Sequence, residues 1–122
     1  MTTVANVVLV VRTADCCPIL FACPRGVGVA HAGWRGVAAN VAVATLNSLL
    51  HESGCAVDEV RAIIGPCISG RSYEVGSEVI AGIENSGVPA EVFAEIRDGS
   101  RYADIGAAVE HQLKRQGMKK YD

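Results

Sequence analysis

Thr13-Ala14-Asp15-Cys16-Cys17-Pro18-Ile19-Leu20-Phe21-Ala22-Cys23-Pro24-Arg25-Gly26-Val27-Gly28-Val29-Ala30-His31-Ala32-Gly33-Trp34-Arg35-Gly36 is the stretch whose reading decides the fold. Ile19–Cys23 and Val27–Ala30 are apolar runs of strand length, and Pro24-Arg25-Gly26 between them is turn chemistry. Pro18 biases Cys17 away from helical angles, so the polar break Thr13-Ala14-Asp15 leads into extended chain. Paired as a hairpin, the two runs bring Cys16 and His31 toward one end of a sheet. A thiolate and a neutral imidazole there make either a metal site or a Cys–His catalytic pair.

Outward from this corner the chain reads as scaffold. Asn6–Arg12 is β-branched and apolar on both faces, which predicts a central buried strand. A central strand so close to Met1 implies an upstream segment. Gly33-Trp34-Arg35-Gly36 turns into a helix over Val37–His51, apolar nearly all round and therefore buried against a sheet. Gly54 is its stop, in the left-handed conformation glycine takes without strain. Val60–Ile64 reads as a short buried strand closed by Gly65-Pro66-Cys67, and Ser77–Glu84 as a helix stopped near Gly87. Asp104 caps a helix to Gln116 with the stripe Ile105, Ala108, Val109, Gln112, Leu113, and Gly117 ends it. The sequence closes at Lys119-Lys120-Tyr121-Asp122, with no further strand expected after that helix.

Composition sets the bounds. The 122 residues make one domain, 1–122, large enough for a modest core. Half are hydrophobic but only 5% aromatic, so that core is built from Val, Ala, Ile and Leu. Eleven lysines and arginines against 13 acids give a net charge of −2, which argues against a nucleic-acid surface that works by neutralising phosphates. No apolar run is long enough to span a bilayer, and no signal peptide precedes the domain. Five cysteines, two of them adjacent, suit a disulfide framework poorly and point to a reducing, cytoplasmic setting.

Thr13-Ala14-Asp15-Cys16-x-Pro18, His31-Ala32-Gly33-Trp34-Arg35-Gly36, Ile64-Gly65-Pro66-Cys67-Ile68, Tyr73-Glu74-Val75-Gly76 and the closing Asp104…Gln112-Leu113…Gly117 resemble, in order, the laccase-domain or multicopper polyphenol oxidoreductase family. That family is better described as purine nucleoside phosphorylases, acting on adenosine, inosine and methylthioadenosine, with zinc-dependent adenosine deaminase activity. The resemblance implies an α+β fold, a layered α-β-β-α sandwich of mixed sheets flanked by helices, similar to the catalytic domain of cytotoxic necrotizing factor toxins. It also implies zinc, or copper in older descriptions, held by two histidines and a cysteine. By that match Cys16 and His31 are metal ligands, and the other histidine lies upstream of Asn6. The family's final strand would follow Gly117, so the chain resembles the domain without its N-terminal and C-terminal segments.

The remaining assignments follow from the same motifs. Asp15 is a candidate to orient His31 through its second ring nitrogen, with a turn cap as the alternative. Arg35 is a candidate to bind phosphate or ribose as a bidentate donor, with a structural ion pair as the alternative. Trp34 is a candidate to stack on a purine, with packing on the following helix as the alternative, and Tyr73 and Glu74 are expected in the wall of the substrate pocket. Cys17 reads as core, Cys23 and Cys55 as small hydrophobes, Cys67 as either a thiol near the pocket or a structural one, and His51 and His111 as solvated. The expected partners are a purine nucleoside and phosphate, with no nucleic acid and no membrane. Three rival readings stay open: a metal-free Cys–His hydrolase or deamidase, a copper polyphenol oxidase, and an inactive fragment completed by self-association or by another chain.

Overall fold

The structure is a computed structural model, and it describes residues 1–119 and 121–122. The hairpin forms as the sequence indicates. β1 (Cys17–Cys23) pairs antiparallel with β2 (Gly26–Ala32) in the register Pro18 to His31 and Cys23 to Gly26, around the Pro24-Arg25 turn. Gly33 then leads into α1 (Trp34–Ala38), followed by α2 (Val41–Ser53). Asn40 between them is left-handed, with φ 55°, so the single helix expected over Val37–His51 is broken in two. Asparagine tolerates that conformation better than most residues, which is how the break arises without glycine or proline. Gly54 is left-handed as expected, and its N–H returns to Leu50 O at 2.9 Å.

β3 (Arg61–Ile64) pairs antiparallel with the other edge of β1, giving a three-stranded sheet in the order β2-β1-β3. A second three-stranded antiparallel sheet has the order β4-β6-β5. Its strands are β4 (Glu74–Val75), β5 (Ala94–Arg97) and β6 (Ser100–Ala103), with α3 (Ser77–Glu84) and α4 (Ala90–Phe93) inserted after β4. The tight β5–β6 turn is Asp98-Gly99, with φ 49° and 81°. α5 (Ile105–Arg115) closes the domain, and Asp104 caps it by accepting from Ala107 N at 2.9 Å. A cap of this kind stabilises by about 1 kcal/mol.

The core lies on one face of the first sheet. Cys17, Ile19, Phe21, Ala30, Ala32 and Ala62 point to that face and meet Leu46 and Leu49 of α2 and Val109 and Leu113 of α5. Every residue of the expected α5 stripe is buried. The Gln112 amide nitrogen donates to Val37 O at 2.8 Å and Ser86 Oγ at 3.0 Å, while its Oε1 is buried without a hydrogen-bond partner among the described residues. Burial of the amide nitrogen without its partners would cost a few kcal/mol, on the order of 1–3.

The other face of this sheet is open: Leu20, Val27 and Ile63 are 43%, 39% and 45% exposed. The fold is thus a mixed α+β arrangement of two small antiparallel sheets flanked by helices. Two expectations need correction. Asn6–Arg12 is not a central strand; it joins neither sheet, and Val8 and Val10 are 82% and 77% exposed. Its β-branched residues favour extension, but no neighbouring strand among the described residues offers the backbone bonds a central position needs. At the other end, Tyr121 bridges Ala62 in parallel and Asp122 O accepts from Ile64 N at 2.8 Å, so the tail does meet a strand. Lys120, named with that tail, lies outside the described residues.

Candidate functional site

The motif residues converge just before β1 begins. Asp15 is left-handed, with φ 71°, and this kink turns the chain into the strand. The Asp15 carbonyl accepts from Ile68 N at 2.8 Å, which ties the loop after β3 to the kink and brings Tyr73 in behind it. Across the hairpin, β2 ends at Ala32 and Gly33 starts α1, its carbonyl accepting from Val37 N at 2.9 Å. A β-carbon on Gly33 would stand 3.0 Å from Cys16 Sγ, so only glycine leaves the thiol its place. Asp15, Cys16, Trp34 and Tyr73 therefore line one cavity of about 50 Å³, closed by Gly33, Ile68 and Ile105. Ile68 and Ile105 were read as part of a motif and of a helix stripe, not as site residues, because an apolar wall has no local signature. A larger hollow of about 380 Å³ lies between the 69–71 turn and β5–β6, but none of the expected site residues lines it.

Trp34 and Arg35 form a unit. The Arg35 guanidinium lies over the indole, 4.5 Å from the ring centroid. The ring's edge packs against α3, where a β-carbon on Gly82 would be 3.0 Å from it. Burial raises the Tyr73 phenol above its ordinary value; a charged Cys16 would raise it further, while Arg35 lowers it. The phenol is thus a neutral O–H donor at physiological pH. Cys17, fully buried, is pushed up to about 12, first by burial and then by Cys67, Asp104 and Cys16. Burial also raises Cys67, against the lowering effect of its hydrogen bond with Cys17. Both are inert thiols, and Cys67 does not line the cavity.

The other expected residues stand apart. His31 pairs with Pro18 across the hairpin; its side chain is exposed and not part of the cavity. No hydrogen bond joins it to Cys16 or Asp15 among the described residues. Glu74 is exposed on β4, where Ser100 Oγ donates to its Oε1 at 2.7 Å. His51 is solvated beside Glu52, whereas His111 is half-buried.

Comparison with known proteins decides the family. The profile of the multi-copper polyphenol oxidoreductase laccase family matches residues 1–122. The chain belongs to that family. A purine nucleoside phosphorylase of Xylella fastidiosa is 38% identical over 121 residues, covering 97% of this chain and 45% of that protein. A purine nucleoside phosphorylase of Aquifex aeolicus is 33% identical over 119 residues, covering 98% of this chain and 53% of its own. Among solved structures, the hypothetical protein YfiH of Bacillus licheniformis superposes with a TM-score of 0.80 at 29% identity, over 90% of this chain and 44% of that one. YlmD of Geobacillus stearothermophilus gives 0.79 at 28% identity, over 90% and 44%. This member of the laccase family spans about half the length of the relatives it matches.

The family resemblance implied zinc or copper, and that expectation is corrected here. Among the described residues no group of three or more His, Cys, Asp or Glu side chains could hold a metal ion. Cys16 faces the inner cavity while His31 is exposed outside it, and no third donor joins them. Catalytic zinc takes three protein ligands, and the described residues offer no donor set for it. Also among the described residues, no helix is long and apolar enough to cross a membrane.

Proposed function

We propose that this chain carries a purine nucleoside phosphorolysis site, with the Asp15–Cys16–Trp34–Tyr73 cavity taking an edge of the purine. The observation that carries the reading is the convergence of these residues, from separate segments, beside a guanidinium that has no ion pair among the described residues. The phosphorylase names of the relatives support it. In phosphorolysis a phosphate oxygen attacks the ribose C1′, the bond to the base breaks, and the base leaves with the electron pair and takes a proton. Arg35 holds the phosphate with its planar fork of donors. The neutral Tyr73 hydroxyl is the donor nearest the departing base, and Asp15 accepts from the ribose hydroxyls. Among the described residues, zinc-dependent deamination and copper oxidation have no donor set to carry them.

The cavity is too small for a whole nucleoside, since small-molecule sites run to roughly 300–1,000 Å³. In this reading the ribose and phosphate lie outward, toward exposed Arg35, and a second copy of the chain packs on the opposite, open face of the first sheet. The exposed Leu20, Val27 and Ile63 and the unpaired Val8–Val10 run support that packing. Exposed strand-forming segments of this kind pair with other chains. Light scattering should then show self-association, and a monodisperse monomer would remove the second copy from the account.

The protein has one tryptophan, Trp34, so its emission reports on this cavity alone. Titration with adenosine should quench or shift that emission saturably, with a midpoint in the micromolar to millimolar range typical of enzymes, roughly 1 μM–1 mM. A flat titration to several millimolar adenosine, with phosphate present, would show that the purine does not bind beside Trp34.

A further inference from the structure

A second pair of thiols stands at the far end of β1 from the cavity. Cys23 closes that strand, and Arg25, in the turn, reaches across to the end of α2. Its Nε donates to Ser53 O at 2.6 Å and a terminal nitrogen donates to Gly54 O at 2.7 Å. These bonds satisfy carbonyls that a helix end leaves unpaired. They also bring the end of α2, and with it Cys55, to the turn that follows Cys23. Cys55 N donates to Ser53 Oγ at 3.1 Å, and the Ser53 and Cys23 side chains are near enough to the Cys55 thiol to lower it. Cys55 is buried, 6% exposed, while Cys23 lines a hollow of about 370 Å³ between the hairpin turn and residues 2–7.

We propose that Cys23 and Cys55 are a modification site, a dithiol that hydrogen peroxide closes to an intramolecular disulfide. One thiolate attacks a peroxide oxygen, which breaks the O–O bond, leaves a sulfenic acid and releases hydroxide that is protonated to water. The facing thiol then attacks the sulfenic sulfur; the S–S bond forms, the S–O bond breaks, and the hydroxide leaves as a second water with the thiol's proton. Two thiols lose two electrons in all, and the peroxide takes both. The hollow at Cys23 is wide enough to admit so small an oxidant.

The electrostatics separate this pair from the other buried one. The Cys55 thiol is lowered, first by its hydrogen bond with Ser53, opposed by burial, and then by Cys23 and Arg25. Cys17 and Cys67 are both raised. Since the thiolate is the nucleophile, oxidation selects the Arg25 corner.

The test treats the whole folded chain with a small excess of hydrogen peroxide, alkylates free thiols in urea and maps peptides without reduction. The expected result is one cross-link, Cys23 to Cys55, lighter by two hydrogen atoms, with Cys16, Cys17 and Cys67 alkylated. The cross-linked chain should melt on the order of 5–10 °C higher, because the loop it closes is long. Cys23→Ser should abolish the cross-link and leave Cys55 as a sulfenic acid that dimedone traps, and Cys67→Ser should leave the cross-link intact. A cross-link through Cys67, a sulfinic acid at Cys55 in a chain whose Cys23 is still free, or five alkylated thiols would each overturn the proposal.

Discussion

Arg35→Ala lowers kcat/KM for phosphate by about 10²–10³-fold, as loss of a donor that stabilises transferring charge does in other sites. The effect falls on phosphate because Arg35 makes no ion pair among the described residues that the substitution would break. Its one contact of note is the Trp34 ring at 4.5 Å, worth about 0.5–1 kcal/mol at an exposed position. The variant therefore folds, and its melting midpoint moves by only a few degrees. Arg35→Lys keeps the charge but loses the planar fork, so its loss is smaller than that of Arg35→Ala. Steady-state kinetics at varied phosphate separate the readings. If KM for phosphate and activity at saturating phosphate are both unchanged, Arg35 is a packing residue for Trp34 and the phosphate assignment is wrong.

Phe21→Ala destabilises the fold by about 3–5 kcal/mol, a large share of the 5–15 kcal/mol typical of a domain this size. Phe21 is 2% exposed at the middle of the central strand, paired with Gly28 on one side and Ala62 on the other. These small neighbours make the room the ring fills, and Leu46 and Leu49 belong to the same cluster. No nearby side chain is large and free enough to refill the space. Urea unfolding should show a lower midpoint with little change in slope. A loss under about 1 kcal/mol would mean that the ring is not part of the core.

The β1–β2 hairpin was legible because its signals are local, two apolar runs and a Pro-Arg-Gly turn, whereas the helix begins at Trp34, inside the stretch that read as a turn. The Gly54 stop and the Asp104 cap were legible too, each set by one residue's conformational preference. Asn6–Arg12 misled because β-branched composition reports willingness to extend, while centrality depends on partners elsewhere. The break at Asn40 was hidden inside an apolar run that suits one helix or two. The β5–β6 hairpin was missed despite its Asp98-Gly99 turn, because its strands carry only Ile96 and Tyr102 as large apolar or aromatic residues.

The gathering of the candidate residues was partly legible. Asp15, Cys16, Trp34 and Tyr73 do gather, because their motifs flank strand ends that the hairpin and the Ile68–Asp15 bond bring together. His31 does not join them: strand alternation puts it on the open face, opposite Ala30 and Ala32. Glu74 belongs to β4 and spends its carboxylate on Ser100. Spacing in the sequence gave the order of these residues but not the face each one takes.

The most direct test of the account follows adenosine and inorganic phosphate by ³¹P NMR in the presence of the purified chain. The account predicts ribose 1-phosphate and adenine in equal amounts, formed only when phosphate is present and without added metal. Adenine released at the same rate without phosphate, or no turnover with the chain self-associated, would contradict it.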